Sequence, residues 1–147
     1  MIEIETEGRG LFRLVYASRY LGAERDFDET VRTIIAKSIQ NNRVVDVTGF
    51  LLAGEGRFLQ LLEGPAEAVR STFERIGRDA RHGDLKRISA GPAERRLFKD
   101  WNMGQSRLLP ADLDLLSAAE PQDLEPDRPA AQRLVDLLVA AGGRHLR

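Results

Sequence analysis

The run Phe58-Leu59-Gln60-Leu61-Leu62 constrains the fold more than any other part of the chain. A strand with one face in water alternates apolar and polar residues, whereas this one is apolar on both sides. Its sheet must therefore be covered front and back, which calls for helices on both faces. Val31, Ile34, Ile35 and Ile39 recur at helical spacing and predict an amphipathic helix over about 28–40. Val69, Phe73 and Ile76 line one side of a second, and Leu134, Val135, Leu137, Leu138 and Ala141 give a third, at the end of the chain, a broad apolar surface. The two early helices suit one face of the sheet. The last suits the other, with a second subunit as the competing cover.

Strand patterns fill the intervals. They fall at 11–17, with Phe12, Leu14 and Tyr16 on one face, then at 44–53, 57–63, 85–90 and a short 101–108. Gly54-Glu55-Gly56 reads as a hairpin turn between the second and third. Asp26 and Glu29 have the spacing of a capping box, Asn41-Asn42 reads as a helix stop, and Gly64-Pro65 opens the second helix. Strand, helix, strand, strand, helix, strand is the split βαβ order. The expected fold class is α+β: a ferredoxin-like βαββαβ core with an added fifth strand, two helices on one sheet face and C-terminal helices on the other. The chain changes character near Pro110, before an acidic, proline-rich stretch from Glu120 to Pro129. Three parts are expected: an extension over 1–10, a domain over 11–109 and a helical cap or output segment over 110–147.

Composition narrows the chemistry. The 147 residues carry 22 basic and 23 acidic side chains, a net charge of -1, which disfavours direct nucleic-acid or anionic-membrane binding. With no cysteine, disulfides, thiolate metal sites and cysteine nucleophiles are excluded. The 2 histidines have no metal-site spacing. The start MIEIETEGRG lacks a signal peptide's positive and apolar regions, and the apolar runs are too short to span a bilayer, so a soluble cytoplasmic protein is expected.

Two polar residues break the apolar frame. Gln60 shares a strand face with Phe58 and Leu62, and Tyr16 with Phe12 and Leu14. Turned toward the helices, a carboxamide and a phenol would lie in the core, where an unsatisfied polar group costs about 1–3 kcal/mol. Either each finds a backbone partner, or they bond each other and a buried polar ligand. Glutamine both donates and accepts, so it can bridge a phenol to a ligand atom.

At these residues the chain resembles the BLUF domains, blue-light sensors that bind flavin. Phe12-Arg13-Leu14-Val15-Tyr16-Ala17-Ser18 is similar to their opening strand. Asn41-Asn42, Thr48-Gly49, Phe58-Leu59-Gln60 with Leu62-Glu63-Gly64, Arg78-Asp79 with Arg81-His82, and Phe98 with Trp101 and Met103 follow in order, so that the resemblance spans 11 to about 105. It makes 11–109 the flavin-binding domain. It implies noncovalent FAD, with FMN or riboflavin as alternatives in purified protein, and a ring system between Ile34 and Ile76. It gives Asn42 the ring's polar edge, with Asn41 beside it and His82 approaching from the other helix. Asp79, Arg81 and Arg75 go to the ribityl or phosphate part. The competing reading of the Arg75, Arg78 and Arg81 cluster is a solvated helix end favourable to cations.

The implied mechanism is a transient electron and proton transfer from Tyr16 to excited flavin. It lets the Gln60 amide rotate or tautomerise, and a fifth strand carrying Trp101 and Met103 relays the change to the C-terminal helices. Without cysteine, no covalent adduct with the flavin can form. The resemblance implies a sensor with no attached catalytic domain, whose partners are flavin, a downstream protein and further copies of the chain. The alternatives are an acylphosphatase-like hydrolase on the same fold, disfavoured because no glycine-rich anion loop accompanies an arginine, and a protein-interaction module without photochemistry.

Overall fold

A computed structural model describes residues 10–98, 102–112 and 129–146. In chain order the elements are β1 (Leu11–Tyr20), a 3₁₀ turn (Glu24–Asp26), α1 (Phe27–Val44), β2 (Thr48–Gly54), β3 (Arg57–Pro65), α2 (Ala66–Gly77), β4 (His82–Pro92), β5 (Gly104–Arg107) and α3 (Pro129–Leu146). They build one five-stranded sheet in the order β4-β1-β3-β2-β5. β3 is antiparallel to both β1 and β2, β1 is antiparallel to β4, and β5 joins the edge parallel to β2. This is the expected ferredoxin-like core with its fifth strand.

The constraint imposed by β3 is met by two cores. Residues 58–64 are all buried. One side joins Leu14, Tyr16, Leu51, Phe58 and Leu62 to Val31 of α1 and Val69 of α2. The other joins Val15, Ala17, Phe50, Leu52, Leu59 and Leu61 to Leu134, Val135, Leu138 and Ala141 of α3. The last helix, rather than a second subunit, covers the back of the sheet. Its apolar stripe and the odd-numbered residues of β1 and β3 are two halves of one layer.

The element ends differ from the sequence reading for local reasons. α1 continues through Asn41 and Asn42 to Val44, and the chain turns at Asp46, whose φ of 64° is left-handed. The Val47 N–H bonds the Asn42 carbonyl at 2.9 Å across that turn, so the asparagines stay helical while an aspartate, which also tolerates this conformation, makes the stop. β2 accordingly starts at Thr48; Val44 is the last helical residue and 83% exposed. Asp26 makes no side-chain capping bond, because the chain enters α1 from the 3₁₀ turn. Pro65 sits at the N-cap position of α2 with φ −58°, close to the value its ring imposes. β1 and β4 are longer than predicted, and β5 is shorter. In the β2–β3 hairpin both Glu55 (φ 53°) and Gly56 (φ 72°) are left-handed, the combination that matches strand twist.

Because Leu138 is fully buried between α3 and the sheet, Leu138→Ala is expected to destabilise the protein by about 2–5 kcal/mol. Urea unfolding followed by circular dichroism measures this. A loss under about 1 kcal/mol would mean that α3 does not complete the core.

Candidate functional site

Between α1, α2 and the front of the sheet lies a cavity of about 220 Å³. Its walls follow from helical spacing. Ile34, Lys37, Ser38, Asn41 and Asn42 present one face of α1, and Thr72, Arg75 and Ile76 one face of α2. Tyr16 of β1, Leu51 of β2 and Phe58, Gln60 and Leu62 of β3 form the floor, while Asp79, Arg81 and His82 line the remaining side, where the chain leaves α2 for β4. The cavity brings together Tyr16, Ile34, Asn41, Asn42, Gln60, Arg75, Ile76, Asp79, Arg81 and His82. Arg78 is exposed and is not among the lining residues.

The floor carries a polar relay. Tyr16 and Gln60 are directly opposite in the β1–β3 register, and both are almost wholly buried. The Tyr16 hydroxyl donates to Gln60 Oε1, and Gln60 Nε2 donates to the Met103 sulfur at 3.2 Å. Gln60 therefore accepts on one side and donates on the other, as the second of the two sequence readings requires apart from its ligand. Of the two candidates on the fifth-strand segment, Met103 reaches the relay; Trp101 lies outside the described residues. Burial pushes the Tyr16 phenol well above its usual ionisation range, and the nearby Asp79 charge adds to the shift.

Three further placements refine the expectations. Asn42 is buried and gives one amide N–H to the Asn102 carbonyl at 2.9 Å, while Asn102 Nδ2 donates to the Val47 carbonyl at 3.2 Å. The end of α1 is thereby tied to the segment that enters β5. His82 does not approach from a helix. It opens β4, where Nε2 meets the Ile76 carbonyl and Nδ1 the Ser18 hydroxyl, each at 2.7 Å. A carbonyl only accepts, so Nε2 carries the proton. Asp79 and Arg81 are forked together, with Nε to Oδ1 at 2.9 Å and Nη2 to Oδ2 at 2.6 Å; Arg81's bond to the Asp79 carboxylate holds that group below its ordinary range.

Lys37, Ser38, Leu51 and Thr72 also line the cavity and were missed by the sequence reading. Lys37 and Ser38 stand three and four residues from Ile34 and Asn41, so helix geometry alone could have found them; their polarity disguised them as solvated surface. The wall chemistry, one isoleucine among polar side chains on each helix, a floor of Leu51, Phe58 and Leu62 interrupted by Tyr16 and Gln60, and a charged side, suits a flat, largely apolar guest with polar edges and an anionic tail. Among the described residues there is no cluster able to hold a metal ion, and no helix long and apolar enough to cross a membrane.

Comparison with known proteins agrees with this geometry. The model of the family BLUF, sensors of blue-light using FAD, matches residues 11–104. The photoactivated adenylate cyclase subunit beta of Euglena longa is 29% identical over 102 residues, 69% of this chain and 12% of that protein. The blue light- and temperature-regulated antirepressor BluF of Escherichia coli (strain K12) is 36% identical over 91 residues, 60% of this chain and 21% of that protein. The chain thus spans only a small part of these curated relatives. The dark-state structure of BlrB, a BLUF protein, superposes with a TM-score of 0.72 at 26% identity, covering 92% of this chain and 98% of that one. The chain belongs to the BLUF family of flavin-binding blue-light photoreceptors.

A folded-state phenol pKa raised above its unfolded value favours the folded state until the unfolded chain's phenol ionises, near pH 10. Above that pH, the folding stability that Tyr16 contributes should fall as pH rises, by up to about 1.4 kcal/mol per pH unit. Denaturant unfolding of wild type and Tyr16→Phe between pH 9 and 11 isolates the effect. The wild type should lose stability relative to the variant on the alkaline side, and parallel curves would contradict a buried, protonated Tyr16.

Proposed function

We propose that this BLUF chain holds FAD noncovalently in the cavity between α1 and α2, and that Tyr16 and Gln60 convert light absorption into a changed hydrogen-bond pattern on the cavity floor. The observation that carries this reading is that Gln60, in the cavity lining, is bonded to the Tyr16 phenol on one side and to Met103 on the other. A residue so placed changes both contacts when its amide turns.

Ile34 and Ile76 would flank the ring system, and Asn42, whose amide also bonds the Asn102 carbonyl, would address the ring's polar edge. Asn41 and His82 complete that wall. Asp79, Arg81 and Arg75 take the ribityl and phosphate part, where the fixed Asp79–Arg81 fork presents an oriented guanidinium. When bound, the flavin supplies absorption of blue light and an excited state that oxidises a nearby phenol. Tyr16 would be the electron donor to that excited state, its proton leaving toward Gln60 Oε1 along the existing bond and coming back when the electron returns. Rotation or tautomerisation of the Gln60 amide would then change the hydrogen bonds it makes on the cavity floor.

The output runs from Gln60 through Met103, with Trp101 in the same segment, into β5 and on to the C-terminal part. Residues 11–109 act as the sensor and 110–147 as the output segment, working through a downstream protein and self-association rather than catalysis by this domain. The antirepressor designation of the E. coli relative supports a protein partner.

Absorption spectra before and after blue light test the proposal. The purified protein should be yellow, release FAD on denaturation and show a reversible red shift; absence of flavin or of the shift would overturn it. Tyr16→Phe and Gln60→Ala should retain flavin but lose the shift, and normal photocycling in both would refute the roles given to these residues.

A further inference from the structure

On the opposite face of the sheet from the cavity, one carboxylate is sealed in the protein. Glu63 is 0% exposed. Its pleat position, three residues beyond Gln60, turns it to the α3 side with Leu59 and Leu61. It stands in a cross-strand row with Arg13 of β1 and Thr48 of β2. Arg13 Nε donates to Glu63 Oε2 at 3.0 Å. The Leu97 N–H donates to both carboxylate oxygens at 2.9 Å, and the Phe98 N–H to Oε1 at 3.0 Å. Two arginines reinforce the same loop. Arg13 Nη2 bonds the Arg95 carbonyl at 2.9 Å. Arg96 reaches the Thr48 hydroxyl and the Asp46 carbonyl, both at 2.9 Å, and lies 3.1 Å from the Asp46 carboxylate.

Burying a carboxylate is costly unless several donors compensate it; an apolar residue here would have joined the α3 core with Leu59 and Leu61. What the carboxylate does instead is fix two successive backbone amides midway along the β4–β5 connection. Phe98 stacks on Phe50 in the α3 core, ring centroids 5.2 Å apart. Four residues later Asn102 is bonded to α1, and Met103 lies on Gln60. The five residues from Phe98 to Met103 reach at most about 18 Å, so the position of Phe98 limits where Met103 can sit.

We propose that Glu63, clamped by Arg13, is a positioning residue for Met103: it anchors the β4–β5 connection at Leu97 and Phe98 so that the methionine sulfur is held against Gln60, coupling the α3 layer to the cavity floor. This rests on the light-response reading above for its functional consequence, but the anchor itself does not.

Glu63→Gln retains the shape while losing the charge and weakening the contacts with Arg13 and the two amides. Hydrogen exchange of purified protein in the dark should show faster exchange at Leu97 and Phe98. Thermal return from the light state should change by about ten-fold, the scale of one charge-assisted hydrogen bond lost unequally between two states. The discriminating measurement is a double-mutant cycle. With Met103→Leu already in place, Glu63→Gln should have little further effect on the return rate, whereas a general loosening would act in both backgrounds alike. Arg13→Met, which removes the clamp but not the carboxylate, should shift exchange and return rate in the same direction and supplies the test if Glu63→Gln does not fold. Unchanged exchange at Leu97 and Phe98, or equal effects with and without the Met103 sulfur, would overturn the proposal. Failure of the light-response reading is separately visible as a wild type with no red shift.

Discussion

The two-sided burial of β3 is the constraint on which the rest depends. A strand with no wet face cannot tolerate a polar side chain without a partner, so each polar residue in it imposes a demand on another element. Gln60 is answered by Tyr16 from β1 and Met103 from the segment before β5. Glu63 is answered by Arg13 and by the Leu97 and Phe98 amides. These two residues face opposite layers, and both recruit the same stretch of chain. The sheet's central strand thereby organises the described parts of the connection between β4 and β5.

This explains what could be read from the sequence and what could not. The layers were legible because apolar periodicity survives in Val31, Ile34 and Ile35, and in Leu134, Leu137 and Leu138, and because the run around Gln60 demanded two covers. The Tyr16–Gln60 pair was legible for a related reason: each is a polar residue on an otherwise apolar face. Helix ends were not, since Asn41-Asn42 and Asp46 all tolerate a left-handed turn and only the packing of Val47 beneath the sheet decides among them. The same ambiguity placed the start of β2 four residues too early.

Glu63 obeys the rule that exposed Gln60, a charged residue among buried neighbours, yet it was read only as part of a family string. Its partners come from 34 and 35 residues further along and from a loop with no periodicity of its own. Arg13 was hidden likewise, because an arginine in a strand reads as the polar half of an alternation. His82 was legible as a site-lining residue, but its ring nitrogens answer to Ser18 and the end of α2, which spacing alone does not disclose. Sequence pattern finds the groups that face a site more readily than it finds the groups that hold them there.

The depth at which Tyr16 sits also bears on signal fidelity. A phenol at the surface is ionised about one time in a thousand at pH 7, often enough to give a steady background of molecules whose hydrogen-bond pattern is wrong. Desolvation, with Asp79 nearby, makes that excursion far rarer in the folded protein. In the light-response reading proposed above, that proton has to stay put until light arrives. By packing α1 and α2 against the sheet at Tyr16, the fold keeps that proton in place across the ordinary pH range, which in that reading leaves the trigger to the photon rather than to the acidity of the medium.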